Sequence, residues 1–160
     1  MSVAFTKEDS AETAAETMLP DRPISGAANL VTERGLKALQ LHFDQARAAH
    51  DAASAIEDIN ERRRQAAAPL RDLRYYAERL RTAQLVSHPN SATTLAFGHS
   101  VSYRRDDGPK MTYRVVGEDE ADPSTGSISY LSPVAQRLMG KSVGDVVEFG
   151  EAELEIVAIS

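Results

Sequence analysis

The spacing of apolar residues changes once along this chain, between residues 87 and 91, and that change limits the folds open to it. Before it, Leu36, Leu39, Phe43, Ala46, His50 and Ala53 recur at alternating steps of three and four, the seam of a helix that packs on another helix. Ile59, Ala66, Leu70, Leu73, Ala77 and Leu80 make a second seam. Little sequence separates the two runs, so the helices must fold back as an antiparallel hairpin. Both seams are rich in Ala, which permits close approach but buries little apolar area. Pro69 lies inside the second helix, where it removes one backbone hydrogen bond and is expected to bend the helix.

After Ser87-His88-Pro89-Asn90-Ser91, which reads as a linker over 87–94, the apolar period becomes two. Strands are expected over 95–104, 110–116, 126–130, 146–149 and 152–159, with a turn at Asp106-Asp107-Gly108-Pro109. One helix is expected over 133–139, with Ser132 as its N-cap and Pro133 at its first position. The fold class is therefore α+β. An N-terminal antiparallel helical hairpin, a coiled coil over 30–86, precedes a small antiparallel sheet domain with one helix over 95–160.

At 160 residues the chain holds one ordinary domain or two small ones. It has no cysteine, which excludes disulfides, thiolate zinc sites and cysteine nucleophiles. No apolar run is long enough to span a bilayer, and the first residues show no basic region followed by an apolar core. These features fit a cytoplasmic protein with no membrane partner. Residues 1–29, rich in Ala, Thr, Ser and Glu and then in Pro and Gly, read as a disordered acidic tail with a transient helix over 11–18. The net charge of -6 argues against a general DNA-coating role. That charge is segregated: Arg62, Arg63, Arg64, Arg71, Arg74, Arg79 and Arg81 are opposed only by Asp72 and Glu78, whereas the carboxy-terminal part is acidic. Two surfaces meeting different partners, or simply two solvated faces, would produce this pattern.

Residues 113–140 form an ordered string. Tyr113-Arg114-Val115-Val116-Gly117 runs into the acidic turn Glu118-Asp119-Glu120-Ala121-Asp122, followed by Ile128-Ser129-Tyr130-Leu131-Ser132-Pro133-Val134-Ala135 and Leu138-Met139-Gly140-Lys141. The string resembles the carboxy-terminal domain of the Gre family, the transcript-cleavage factors of bacterial RNA polymerase, and so implies an FKBP-like second domain. Val31-Thr32-Glu33-Arg34-Gly35-Leu36 is similar to the opening turn of that family, and the stretch from Leu80 to Val86 to its second helix end.

Gre factors carry two acidic residues in a D-x-x-E arrangement at the hairpin tip. Counting inward from both ends puts the midpoint near Ile59, where Asp58 and Glu61 have that spacing and Glu57 stands beside them. The resemblance then implies arms shorter than is usual in the family by roughly seven residues, about 10 Å. An ungapped placement of the second helix would instead put the tip at residues 51–54, where only Asp51 is acidic. By resemblance, Asp58 and Glu61 are the catalytic pair, holding a Mg2+ ion shared with RNA polymerase, while the chain binds no cofactor alone and is not itself an enzyme. Asp58 followed by Glu61 is equally the signature of a helix start, with Asp58 as N-cap.

The resemblance also places Arg62, Arg63 and Arg64 along the nascent RNA 3' end in the secondary channel. A solvated helix face is the plain alternative. Asp119, Glu120, Asp122, Ser132 and Pro133 would dock on the polymerase; read from the residues alone, they are a turn and a helix cap. The function implied is that of a monomeric secondary-channel factor that rescues backtracked complexes by stimulating intrinsic RNA cleavage. The alternative is a channel-binding regulator that inhibits or competes without cleavage. An FKBP-like prolyl isomerase would need an aromatic-lined pocket, and Phe97, Tyr103, Tyr113, Tyr130 and Phe149 are scattered at strand positions that suit a core.

Overall fold

The computed structural model describes residues 18–160. Of the tail expected over 1–29, residues 1–17 and nearly all of the transient helix lie outside the described residues. The chain forms two compact units. One holds residues 18–27 and Leu39–Arg81; the other holds Ala28–Ala38 and Thr82–Ser160.

The first unit is the hairpin. Helix α1 spans Glu33–Ser54 and helix α2 spans Ile59–Thr82, giving arms of about 33–36 Å at 1.5 Å per residue. The His42 ring stacks on Tyr76 with centroids 5.2 Å apart, and Ala46 and Ala49 share a cleft with Ala68 and Pro69. Early residues of one helix thus meet late residues of the other, so the pair is antiparallel. Leu39, Ala46 and Ala53 are buried, as the first seam requires. The second seam is out of phase: Ile59 and Ala77 are exposed, while Tyr76 takes the place facing α1. α2 continues through Pro69.

Residues 18–27 form neither helix nor strand, yet they lie against α2. The Arg22 guanidinium sits over the Tyr75 ring, 3.8 Å from its centroid, and pairs with Asp72 at 3.3 Å.

The second unit holds a five-stranded sheet of order β5-β4-β3-β7-β6. Its strands are β3 Ser100–Arg105, β4 Lys110–Val116, β5 Ser127–Ser129, β6 Val146–Phe149 and β7 Ala152–Ile159. All neighbours are antiparallel except β4 and β5. Alternation positions the core. Val101 and Tyr103 of β3, with Ala152, Leu154 and Ile156 of β7, point inward, while Glu153 and Glu155 stay in water. Helix α3, Pro133–Leu138, buries Ala135 and Leu138 three residues apart in the same core. Each fully buried Leu or Ile contributes about 1.5–3 kcal/mol.

Two features differ from the sequence-based expectation. The strand expected from residue 95 begins at Ser100, because 95–99 is a turn around Gly98, whose φ is +91°. The Ala96 N–H donates to Nδ1 of buried His99 at 2.9 Å, and Leu95 instead bonds the backbone at Gly140 and Lys141. A parallel pair of two-residue strands was also missed, β1 Leu30–Val31 and β2 Gln84–Leu85.

Candidate functional site

The hairpin turns at residues 55–58, where Asp58 sits immediately before α2. Helix α1 closes with bonds that span three residues instead of four, Ala55 N–H to the Ala52 carbonyl at 3.3 Å and Ile56 N–H to the Ala53 carbonyl at 3.2 Å. The Ser54 hydroxyl donates to the His50 carbonyl at 2.8 Å, satisfying another end group. On the far side of the turn, Asp58 Oδ1 accepts the Glu61 N–H at 2.8 Å, and the Asp58 carbonyl accepts the first helical bond from Arg62 at 2.8 Å. Asp58 is therefore an N-cap, with Glu61 three residues beyond. The Glu61 carboxylate does not reach back. Its Oε1 accepts from Gln65 at 2.9 Å and its Oε2 from Arg64 at 2.7 Å. Those hydrogen bonds, from Gln65 first and Arg64 second, lower its pKa against the opposing like charge of Asp58. Glu57 is exposed on the same turn.

The three tip arginines have distinct roles in the hairpin. Arg62 donates to the Ile56 carbonyl at 3.3 Å and ties the turn to α2. Arg64 pairs with Glu61, and Arg63 lines a cleft with Met18 and Leu19. Among the described residues, no group of three or more His, Cys, Asp or Glu converges as a metal site.

In the second unit two of the three named carboxylates of the acidic turn make hydrogen bonds within the fold. Asp122 Oδ1 accepts from the Ser124 N–H at 3.1 Å and from the Ser124 hydroxyl at 2.5 Å, capping the short 3-10 turn Pro123–Thr125. The Ser124 hydroxyl is the main reason its carboxyl titrates below the usual range. Half-buried Glu120 accepts a short hydrogen bond from the Thr32 hydroxyl. Thr32 Oγ1 in turn accepts the Gly35 N–H at 3.0 Å, so a carboxylate on the acidic turn secures the N-cap of α1. Asp119 is exposed. Ser132 caps α3 by accepting the Ala135 N–H at 3.4 Å, with Pro133 at the first helical position, as expected.

The Thr32–Glu120 contact was not read from the sequence, although Thr32 directly before Glu33 is a visible N-cap signal. Nor was the Arg22 contact, for which a lone Arg upstream of Pro23 and the pair Tyr75-Tyr76 were the available signs. The aromatic residues of the sheet go to its core. Tyr103 is buried in it and Tyr113, Tyr130 and Phe149 pack against it. A cleft of about 400 Å3 in this unit is lined by Thr32, Arg34, His88 and Arg114 rather than by aromatic rings.

Comparison with known proteins places the chain in a family. A family model described as "Transcription elongation factor, GreA/GreB, C-term" matches residues 90–160. Over 118 residues the chain is 38% identical to the transcription elongation factor GreA of Methylobacterium nodulans, covering 71% of this chain and 70% of that protein. The chain belongs to the GreA/GreB family of transcription elongation factors. It is 39% identical over 105 residues to GreA of Desulfovibrio desulfuricans, and 39% identical over 79 residues to GreB of Haemophilus ducreyi. The matched part spans 64% of the first of these two Gre factors and 49% of the second, against 62% and 49% of this chain.

Proposed function

We propose that the protein is a Gre-type elongation factor whose hairpin enters the secondary channel of bacterial RNA polymerase in the cytoplasm and, as a monomer, rescues backtracked complexes. The polymerase cleaves its own transcript, and the factor stimulates that reaction without being an enzyme alone. The observation that carries this reading is the tip, where the turn at 55–58 leaves Asp58 and Glu61 together at the hairpin end. Arg62 and the Asp58 cap hold that turn, so both carboxylates are displayed on a fixed end rather than a loose loop.

Magnesium takes one or two carboxylates together with water and phosphate oxygens, and Asp58 and Glu61 fit that demand in number and kind. Glu61 would exchange Arg64 and Gln65 for the ion, and such surface contacts are weakly held. When bound, the ion supplies Lewis-acid assistance to phosphodiester hydrolysis. Asp119, Glu120, Asp122, Ser132 and Pro133 are proposed to dock on the polymerase, supported by the acidity of the turn and the exposure of Asp119. Arg62, Arg63 and Arg64 would flank the RNA 3' end.

A second reading, channel occupation without cleavage, is favoured by the full engagement of the Glu61 carboxylate and by arms of about 33–36 Å. One experiment separates the two. The protein is added to stalled, backtracked complexes of RNA polymerase from its own bacterium, and RNA length is read on a gel. Asp58→Asn retains an N-cap and Glu61→Gln retains shape, but both lose charge. Cleavage by the parent, lost in both variants with polymerase binding unchanged, is the expected result. Variants that cleave like the parent leave Asp58 as a helix cap and Glu61 as the partner of Arg64 and Gln65. A parent that shortens no RNA yet competes with a cleaving Gre factor establishes the second reading.

A further inference from the structure

One face of α2 is already occupied by the chain itself. Arg22 lies over Tyr75, with Tyr76 5.2 Å from its guanidinium carbon and His42 stacked behind Tyr76. Asp72 accepts from Arg22 and also pairs with Arg71 at 3.5 Å. Asp21 pairs with Arg74 at 3.6 Å. Upstream, Met18 and Leu19 share a cleft of about 230 Å3 with Arg63, Ala66, Ala67 and Leu70. Two tyrosine faces and a carboxylate make a box for a guanidinium, and residue 22 fills it.

The attachment is local. Residues 18–27 make no strand or helix, Arg22 and Asp72 are each about one-third exposed, and Met18 remains 67% exposed. Ion pairs of this exposure are weak and screened by salt, so most of the hold falls on the Arg22–tyrosine contact. The segment also covers the basic flank of α2, matching Arg74 with Asp21 as an acidic partner would. Two packed helices are about 20 Å across, and a third layer of chain widens the hairpin along α2.

We propose that residues 18–27 are a releasable strap, latched by Arg22 on the Tyr75–Tyr76–Asp72 face of α2, and that this face engages the wall of the polymerase channel once the strap lifts. The channel half of this inference rests on the function proposed above; the latch does not. The strap is thus an internal competitor for a surface the hairpin uses.

The chain has no cysteine, so Leu19→Cys gives a single site for a nitroxide label whose mobility is read by electron paramagnetic resonance. The full chain is labelled with Arg22 intact and with Arg22→Gln, and each is titrated with core RNA polymerase. A restrained label in the parent, a mobile one in Arg22→Gln, release of the parent label by polymerase, and about tenfold tighter binding by Arg22→Gln are expected, the last equal to about 1.4 kcal/mol. A label already mobile in the parent overturns the strap. A label that stays restrained on bound polymerase, with equal affinities, overturns the masking. If neither chain binds polymerase, the proposed function and the masking fall together, and a restrained label still establishes the latch.

Discussion

Replacing Glu120 by Ala removes the carboxylate that holds Thr32 at the start of α1, and the structure gives the size of the effect. Thr32 is only 3% exposed, so its hydroxyl has little water to turn to when Glu120 is gone. A hydrogen bond to a charged partner contributes about 1.5–3 kcal/mol, and a carboxylate near a helix N-terminus adds about 0.3–1 kcal/mol. The expected loss is therefore about 2–4 kcal/mol, or a Tm lower by roughly 4–16 °C for a chain of this size.

A double-mutant cycle isolates the contact. Thr32→Val costs both the Glu120 bond and the cap on Gly35, so its effect alone is ambiguous. The coupling energy between Thr32→Val and Glu120→Ala should exceed about 1 kcal/mol, whereas independent sites add within about 0.3–0.5 kcal/mol. Gly35 provides a sign test. A Cβ there would lie 2.7 Å from Glu120 Oε1, so Gly35→Ala should destabilise the parent by displacing that carboxylate. In the Glu120→Ala background the obstacle is gone, and Ala should then stabilise the helix by up to about 1 kcal/mol. Thermal melts followed by far-UV circular dichroism read all of these. Additive effects, or a Gly35→Ala cost of the same sign and size in both backgrounds, would refute the clamp.

Two other outcomes follow from the same unit. Gly117→Ala should be more damaging than Gly35→Ala, because its Cβ would meet the Leu30 backbone carbonyl at 2.3 Å, where no side chain can swing aside; a loss of about 1–3 kcal/mol in chemical denaturation is expected, and a neutral result would show that β1 yields. The Asp122 carboxyl titrates below its ordinary range, so its contribution is complete above the unfolded value and disappears as pH falls through the folded one. The Tm gap between parent and Asp122→Ala should accordingly be present at pH 7 and shrink toward pH 3; a gap independent of pH would mean the Ser124 contact does not depend on charge.

The parts of the fold legible in the sequence are those where one face of one element is buried. Val101, Tyr103, Leu154 and Ile156 alternate with exposed residues, and Ala135 and Leu138 repeat at helical spacing, so period alone recovers them. Where an element is covered on more than one side, period misleads. α2 meets α1 through Tyr76 and residues 18–27 through Tyr75, and the averaged seam through Ile59 and Ala77 belongs to neither face. Leu95, Ala96 and Phe97 are apolar enough to suggest a strand, but the turn at Gly98 and His99 decides otherwise. The pair β1 and β2 is too short for any periodicity.

The acidic turn shows why a string of residues can be legible while its roles are not. Glu118-Asp119-Glu120-Ala121-Asp122 looks like a single charged patch in the sequence. In the structure Asp122 caps its own turn and Glu120 reaches a residue 88 positions away, so only a tertiary contact assigns it. Joint replacement of Asp119, Glu120 and Asp122 would therefore disturb α1 as well as any docking surface. A weakened interaction with polymerase in such a triple variant would not separate recognition from stability. Asp119→Ala alone leaves the Glu120 and Asp122 contacts in place, and its affinity for core polymerase, compared at low and high salt, is the cleaner measure of docking.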